Sequence, residues 1–275
     1  MNLRNYIFFV LIVLGINVGL VHAQSEADSI PASDIVESSV SVSVSESEAE
    51  AAYRQNSFAE SIKLYESEIG KNKQIKKESP ELYYNLGNAY FRDNQIAKAI
   101  LNYERALLLD PGDSDIRHNL RFAKTRIEDK IDSADSFFVN QWIRSIQNLY
   151  TANRWAMIGI VLFLILIIAV GSYVISTQIT VRKISFYSGI VLLALVIIAN
   201  AFAFKQKNKI VNRSTGIVMS ASVSIHTSPD AHSQELFRLH EGSKVRIKRE
   251  EGNWFEIVIA NGSVGWLQKK NIEKI

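Results

Sequence analysis

Asn88 and Arg92 stand one helical turn apart in the stretch YYNLGNAYFRDNQ, with Tyr84 and Phe91 beside them. An amide such as Asn88 can hold an extended backbone through paired hydrogen bonds, and a guanidinium such as Arg92 can pair with a carboxylate. Both are ways of gripping a peptide, and neither makes or breaks a covalent bond. The alternative for these residues is a solvated helix face with an incidental aromatic. Arg117 and Arg121 repeat the one-turn spacing further on, as an extended basic rim or as ordinary surface charges. Trp254 and Trp266 offer rings either for stacking on a ligand or for filling a core. His226, His232 and His240 are six and eight residues apart in a loop-rich region, a spacing that suits surface histidines better than a metal centre.

Catalytic chemistry lacks its usual groups. The chain of 275 residues contains no G-x-S-x-G elbow, P-loop, H-E-x-x-H or G-x-G-x-x-G. It also contains no cysteine, which excludes thiolate nucleophiles, thiolate metal sites, disulfides and a lipobox anchor. The expectation is a binding protein, not an enzyme, with no catalytic, cofactor or metal site. The net charge of +3 is unremarkable, but residues 24–50 carry seven acids and no Lys or Arg, while residues 205–275 carry twelve Lys/Arg against seven Asp/Glu. That basic excess is too small and too interleaved with acids for nucleic acid. A face beside an anionic membrane or wall polymer accounts for it.

The elements that carry these residues emerge from periodicity. Residues 1–23 hold Arg4, an apolar run from Tyr6 to Ile16, and Val21-His22-Ala23 ahead of Gln24. This order predicts an export signal peptide, or else an uncleaved anchor; either delivers the residues after it outside the cytoplasm. Residues 24–48 are rich in Ser and acid, lack aromatics, and read as a disordered linker. Residues 49–135 then show helical spacing, with breaks near Asn56, at Asp93-Asn94 and at Asp110-Pro111-Gly112.

Within that region Tyr83, Leu86-Gly87, Tyr90, Ala99, Tyr103, Ala106 and Pro111 resemble the tetratricopeptide repeat in type and spacing. Small residues there let two antiparallel helices approach while the aromatics fill the space beside them. Ser61 and Tyr65 occupy the slots of Ala99 and Tyr103 38 residues earlier, which predicts a degenerate first repeat. The stretch from Ser114, with Ile116, Leu120 and Ala123 on one face, predicts the extra helix that seals a short array. The first helix of each pair lines the groove in such arrays, so the resemblance puts Tyr84, Asn88, Phe91 and Arg92 in a candidate peptide groove.

Residues 136–154 place Phe138, Trp142, Ile146 and Leu149 on one face, as a juxtamembrane amphipathic helix in the interface or as a helix packed on the repeats. Residues 156–175 and 184–204 are uncharged and long enough to cross a bilayer, so the lipid bilayer is itself an expected partner. The short joining segment predicts a hairpin. Arg182 and Lys183 favour a cytoplasmic loop, whereas Lys205, Lys207, Lys209 and Arg213 crowd the other end; the export signal decides for both soluble parts outside. Residues 213–275 change to period-two alternation, and Asn261-Gly262 predicts a tight hairpin turn with φ > 0 at both residues.

The last segment resembles bacterial SH3-like domains in SVSIHTSPD, LHEGSKVRI, Trp254 and the closing Gly262-x-x-Gly265-Trp266. That resemblance implies a small barrel that binds wall peptides or proteins, with Trp254 and Trp266 on its candidate ligand face. The full order of signal, repeats, two-span hairpin and SH3-like domain resembles the BatE-type proteins of the Bacteroides aerotolerance (Bat) operon. It implies a scaffold of the inner membrane, its soluble domains periplasmic, serving an envelope stress complex with von Willebrand factor A-type Bat partners. A peptidoglycan-binding sensor is the alternative. The expected fold class is thus a multi-domain membrane protein: an all-α repeat domain, two transmembrane helices and a C-terminal all-β barrel.

Overall fold

The structure, a computed structural model, describes residues 48–75, 77–130 and 138–275. The expected signal segment, and the linker as far as residue 47, lie outside these residues. Residue 48 is already helical, and residues 48–54 form α1. It is followed by α2 (Phe58–Gln74), α3 (Pro80–Arg92), α4 (Ile96–Leu109) and α5 (Ser114–Lys124). Ser79 caps α3 by accepting from the Leu82 backbone N–H, with Pro80 in the first turn where its missing donor costs nothing. Asp113 caps α5 through the backbone N–H groups of Asp115 and Ile116.

The two helical hairpins share one turn. In the second, Asp93, Asn94 and Gln95 donate to the carbonyls of Ala89, Phe91 and Tyr90; in the first, Gln55, Asn56 and Ser57 donate to those of Ala51, Tyr53 and Ala52. Asn56 and Asn94 both take φ of 60°, the left-handed conformation that Asn tolerates. The offset is the same 38 residues that relates Ser61 to Ala99 in the sequence. Gly87 marks the closest approach: a Cβ there would lie 2.7 Å from the Tyr103 ring, so only hydrogen fits. Tyr65, Tyr83, Leu86, Tyr90, Ile100 and Tyr103 fill the resulting core.

Seven antiparallel strands come after the helices: β1 (Thr215–Val218), β2 (Ser222–His226), β3 (Glu235–His240), β4 (Lys244–Glu251), β5 (Trp254–Val258), β6 (Val264–Gln268) and β7 (Ile272–Lys274). Their order is β3-β2-β6-β5-β4-β1-β7, which leaves β3 and β7 as unpaired edges, so the sheet does not close. Phe255 and Ile257 are buried while Trp254, Glu256 and Val258 are half-buried, as period-two alternation requires. The turn at Asn261-Gly262 differs from expectation. Only Gly262 has positive φ; Asn261 instead accepts from the Ser263 backbone N–H, inside a wider loop closed by Ile259 and Ser263. The two-residue turn lies at Gly252-Asn253 between the paired Glu251 and Trp254, with Gly252 at φ 51°.

The repeats and the sheet belong to one compact unit, although residues 150–208 separate them in sequence. Ile217 of β1 and Ile275 are buried in the repeat core. Glu104 of α4 accepts from Lys124 at 2.7 Å and from Lys244 at 2.6 Å. Burial alone would raise this carboxyl, but Lys244 and then Lys124 outweigh it and bring it down to about 2. Arg105 bonds Glu273 and the Lys274 carbonyl, and Arg213 pairs with Glu78. Asp129, beyond α5, accepts from the backbone N–H of His240 at 2.7 Å, from its Nδ1 at 2.8 Å, and from the Ser243 hydroxyl. The bond to Asp129 raises the His240 pKa above its usual value. Burial works to raise Asp129, and the bonds from His240 and Ser243 bring it below the ordinary range. Gly242, at φ 86°, passes so near Ile127 that a Cβ would lie 2.5 Å from it.

Two helices, α7 (Ala152–Ile175) and α8 (Ile179–Asn212), are long and apolar enough to cross a membrane. Their 24 and 34 residues give about 36 and 51 Å, against a hydrocarbon core of about 30 Å. The joining segment is shorter than the sequence suggests, because α8 takes in Ile179 to Lys183. Phe163, Leu166 and Val196 pack between them, and Trp155 meets Phe202 edge-on at 5.0 Å. Met157, Val161, Ile168, Ile190 and Val191 face outward. Ahead of α7 lies α6 (Phe138–Gln147), on which Trp142 is 67% exposed and Ile146 half-buried.

Candidate peptide-binding groove

Helices α3 and α5 meet along one side of the repeats. Asn119 of α5 donates through Nδ2 to the Tyr84 hydroxyl and to Asn88 Oδ1, both at 3.0 Å. Tyr103 also donates to Asn88 Oδ1, at 2.7 Å. Both lone pairs of the Asn88 carbonyl are therefore used inside the fold. Bidentate capture of a partner backbone needs that oxygen, so the expected role of Asn88 is corrected: it braces the groove floor and keeps only its NH₂ for a ligand. Tyr84 is also braced, its ring 6.0 Å from that of Tyr103. Burial raises the phenol pKa of Tyr103, so it stays a donor across ordinary pH.

Phe91 lies in the groove with a partner that sequence reasoning missed. Its ring sits 5.5 Å from Phe122 of α5, and the Arg126 guanidinium lies 6.0 Å from Phe91 and 5.8 Å from Phe122. Phe122 is 50% exposed, a large apolar ring kept at the surface. Its position three residues before Thr125, at the end of a helix otherwise read as a seal, gave no spacing signal. The one available clue was an aromatic on the polar side of that helix.

Arg92 does not join this group. It is exposed, donates to Asn56 Oδ1 at 3.4 Å and stacks 5.0 Å over Phe58 at the first hairpin turn. The cation beside the Phe91–Phe122 pair is Arg126. Arg117 also has a structural task, donating to the carbonyls of Pro111 and Gly112. Arg121 is exposed.

On the sheet, Trp266 pairs with His226 on one side and Glu256 on the other. Trp254 is half-buried and meets the His226 ring edge-on at 5.6 Å. Trp266 is 6% exposed and lies outside the aliphatic core, with the Arg249 guanidinium 5.1 Å from its ring. Lys248 and Arg249 both pair with Glu256, so this face carries aromatic rings beside a cluster of two cations and one carboxylate. Among the described residues, no three His, Asp or Glu side chains converge as metal ligands. His240 is committed to Asp129, and His226 to the Ser233 carbonyl at 3.0 Å.

The α3–α5 surface combines a braced polar layer, two aromatic rings and one cation. No curated protein matches the chain. Residues 80–113, which span α3 and α4, match the tetratricopeptide repeat family, whose stacked helix pairs present binding surfaces of this sort to other proteins.

Proposed function

We propose that the protein is a non-enzymatic scaffold of a bacterial inner membrane, which captures a segment of another protein on the Phe91–Phe122–Arg126 face of its repeats. The observation that carries this reading is the ring pair of half-buried Phe91 and exposed Phe122, with the Arg126 cation beside it, on the α3–α5 face of a region that contains a tetratricopeptide repeat. Aromatic and Arg side chains in such a pocket supply most of the binding energy at protein interfaces. The α7–α8 hairpin anchors the unit. That residues on both flanks of the hairpin build one compact unit supports an even number of crossings, and the export-like start supports a periplasmic position for that unit. The resemblance to BatE-type proteins makes a von Willebrand factor A-type membrane protein the partner and an envelope stress complex the setting. Trp142, exposed on α6, fits a helix lying in the membrane interface.

The test is co-purification from detergent extract. A Phe122→Ser, Arg126→Gln variant should retain its melting temperature, because Phe122 is half exposed, yet lose its captured partner. Equal capture by the variant moves the site off this face.

A second reading rests on the sheet. Its SH3-like resemblance and the Trp254–His226–Trp266 row suit a peptidoglycan ligand, with the sheet as sensor. Retention of the detergent-solubilised protein on insoluble peptidoglycan, abolished by Trp254→Ala, would favour this reading over the scaffold.

A further inference from the structure

Beside the Asp129 contact a cleft of about 770 Å³ opens between residues 124–130, helix α6 and strands β4 and β5. Its volume falls in the range that holds a small ligand or a few residues of peptide. Five cations line it: Lys124, Lys130, Arg144, Lys244 and Arg246. Among the described residues the lining carboxylate is Asp129, which accepts three hydrogen bonds from His240 and Ser243. Lys124 and Lys244 are held by Glu104. Lys130, Arg144 and Arg246 have no ion-pair partner among the described residues, and all three are exposed. Between them the floor is apolar, formed by Ile127, Val245, Val258 and Ile259.

Two sides of the cleft are tied to each other. Asp129 pins the loop to the end of β3, and Gly242 locks against Ile127. The arrangement suits a row of separate negative charges better than one dense anion. Lys130, Arg144 and Arg246 come from three different parts of the chain. The helix that ends at the cleft, α5, presents its C-terminus, where the dipole disfavours phosphate. Arg246 pairs with Thr215 and Val258 on its two sides, so β4 offers no nest of free N–H groups there.

We propose that this cleft is a second ligand site, for an acidic polypeptide segment. Its carboxylates pair with Lys130, Arg144 and Arg246, and its apolar side chains rest on Ile127, Val245 and Ile259. The site is independent of the groove on α3 and α5. The test uses the full chain in detergent and the fluorescence anisotropy of a labelled alternating Glu-Val peptide. The peptide should bind, release as salt rises, and outbind the matching Gln-Val peptide. Lys130→Gln with Arg246→Gln should weaken binding at least tenfold at an unchanged melting temperature, and Arg144→Gln alone should weaken it measurably. Phe122→Ser should leave it intact, which separates this site from the groove. Equal binding of the Gln-Val peptide, or unchanged affinity in the cation variants, overturns the proposal. So does displacement of the peptide by inorganic phosphate or by phosphatidylglycerol in mixed micelles at lower concentration than by unlabelled peptide; those two arms would assign the cleft to free phosphate or to a lipid headgroup.

Discussion

Asn88 shows how a residue suited to binding becomes part of the frame. Its carbonyl takes hydrogen bonds from Tyr103 and Asn119, and Tyr103 is only 2% exposed. Asn88→Ala should therefore cost about 1–3 kcal/mol in a denaturation midpoint, because a buried hydroxyl loses its acceptor. Adding Tyr103→Phe to that variant should recover part of the loss, and a double-mutant cycle measures the coupling. An additive cycle would mean that the two side chains do not share a bond. Gly87→Ala tests the neighbouring contact. The added methyl meets the Tyr103 ring at 2.7 Å, so a loss of about 1–3 kcal/mol is expected despite the better helix propensity of Ala. A variant as stable as the parent would contradict the close packing.

Between elements, stability rests on carboxylates shared by the repeats and the sheet. Glu104 at about 2 against an ordinary 4.5 represents on the order of 3 kcal/mol, present above pH 4.5 and lost as pH falls toward 2. Glu104→Gln should remove a similar amount and flatten the acid limb of a melting-temperature curve; an unchanged acid limb would rule out the clamp. The Asp129–His240 pair gives two further limbs. Asp129, lowered from 3.8, contributes above that pH and is lost as acid protonates it. His240, raised from 6.5, contributes fully below pH 6.5 and is lost as pH rises through its folded value. Asp129→Asn should thus abolish any fall in melting temperature on the alkaline side of pH 6.5, and persistence of that fall would assign it elsewhere.

These same elements show what a sequence carries. The second hairpin was legible because its small and aromatic residues lie within one repeat, and a turn that packs locally leaves local spacing. Strand alternation at Trp254–Val258 was legible for the same reason. The order of the strands was not, since β1 pairs with both β4 and β7 across the whole segment. Nor was the acceptor role of Asn88, which depends on Asn119 31 residues away. Nor were the contacts of Arg92, because its partners, Asn56 and Phe58, belong to the preceding hairpin. Arg126 and Phe122 were missed because their value comes from facing Phe91.

At the scale of the whole molecule, a unit built from both flanks of an apolar hairpin constrains topology. Alkaline phosphatase fused after Lys130 or Ile275 should be active in cells and inactive when fused at Ser176, between the two apolar helices. Activity at Ser176 alone would invert the assignment. The central claim, that the repeat face holds a partner outside the cytoplasm, is tested most directly by placing a photo-crosslinking amino acid at Phe122 in the full chain, in living cells. The account predicts one discrete adduct on irradiation, absent when the same group replaces the exposed Glu60 on α2. No adduct at position 122, or the same adduct from both positions, would contradict it.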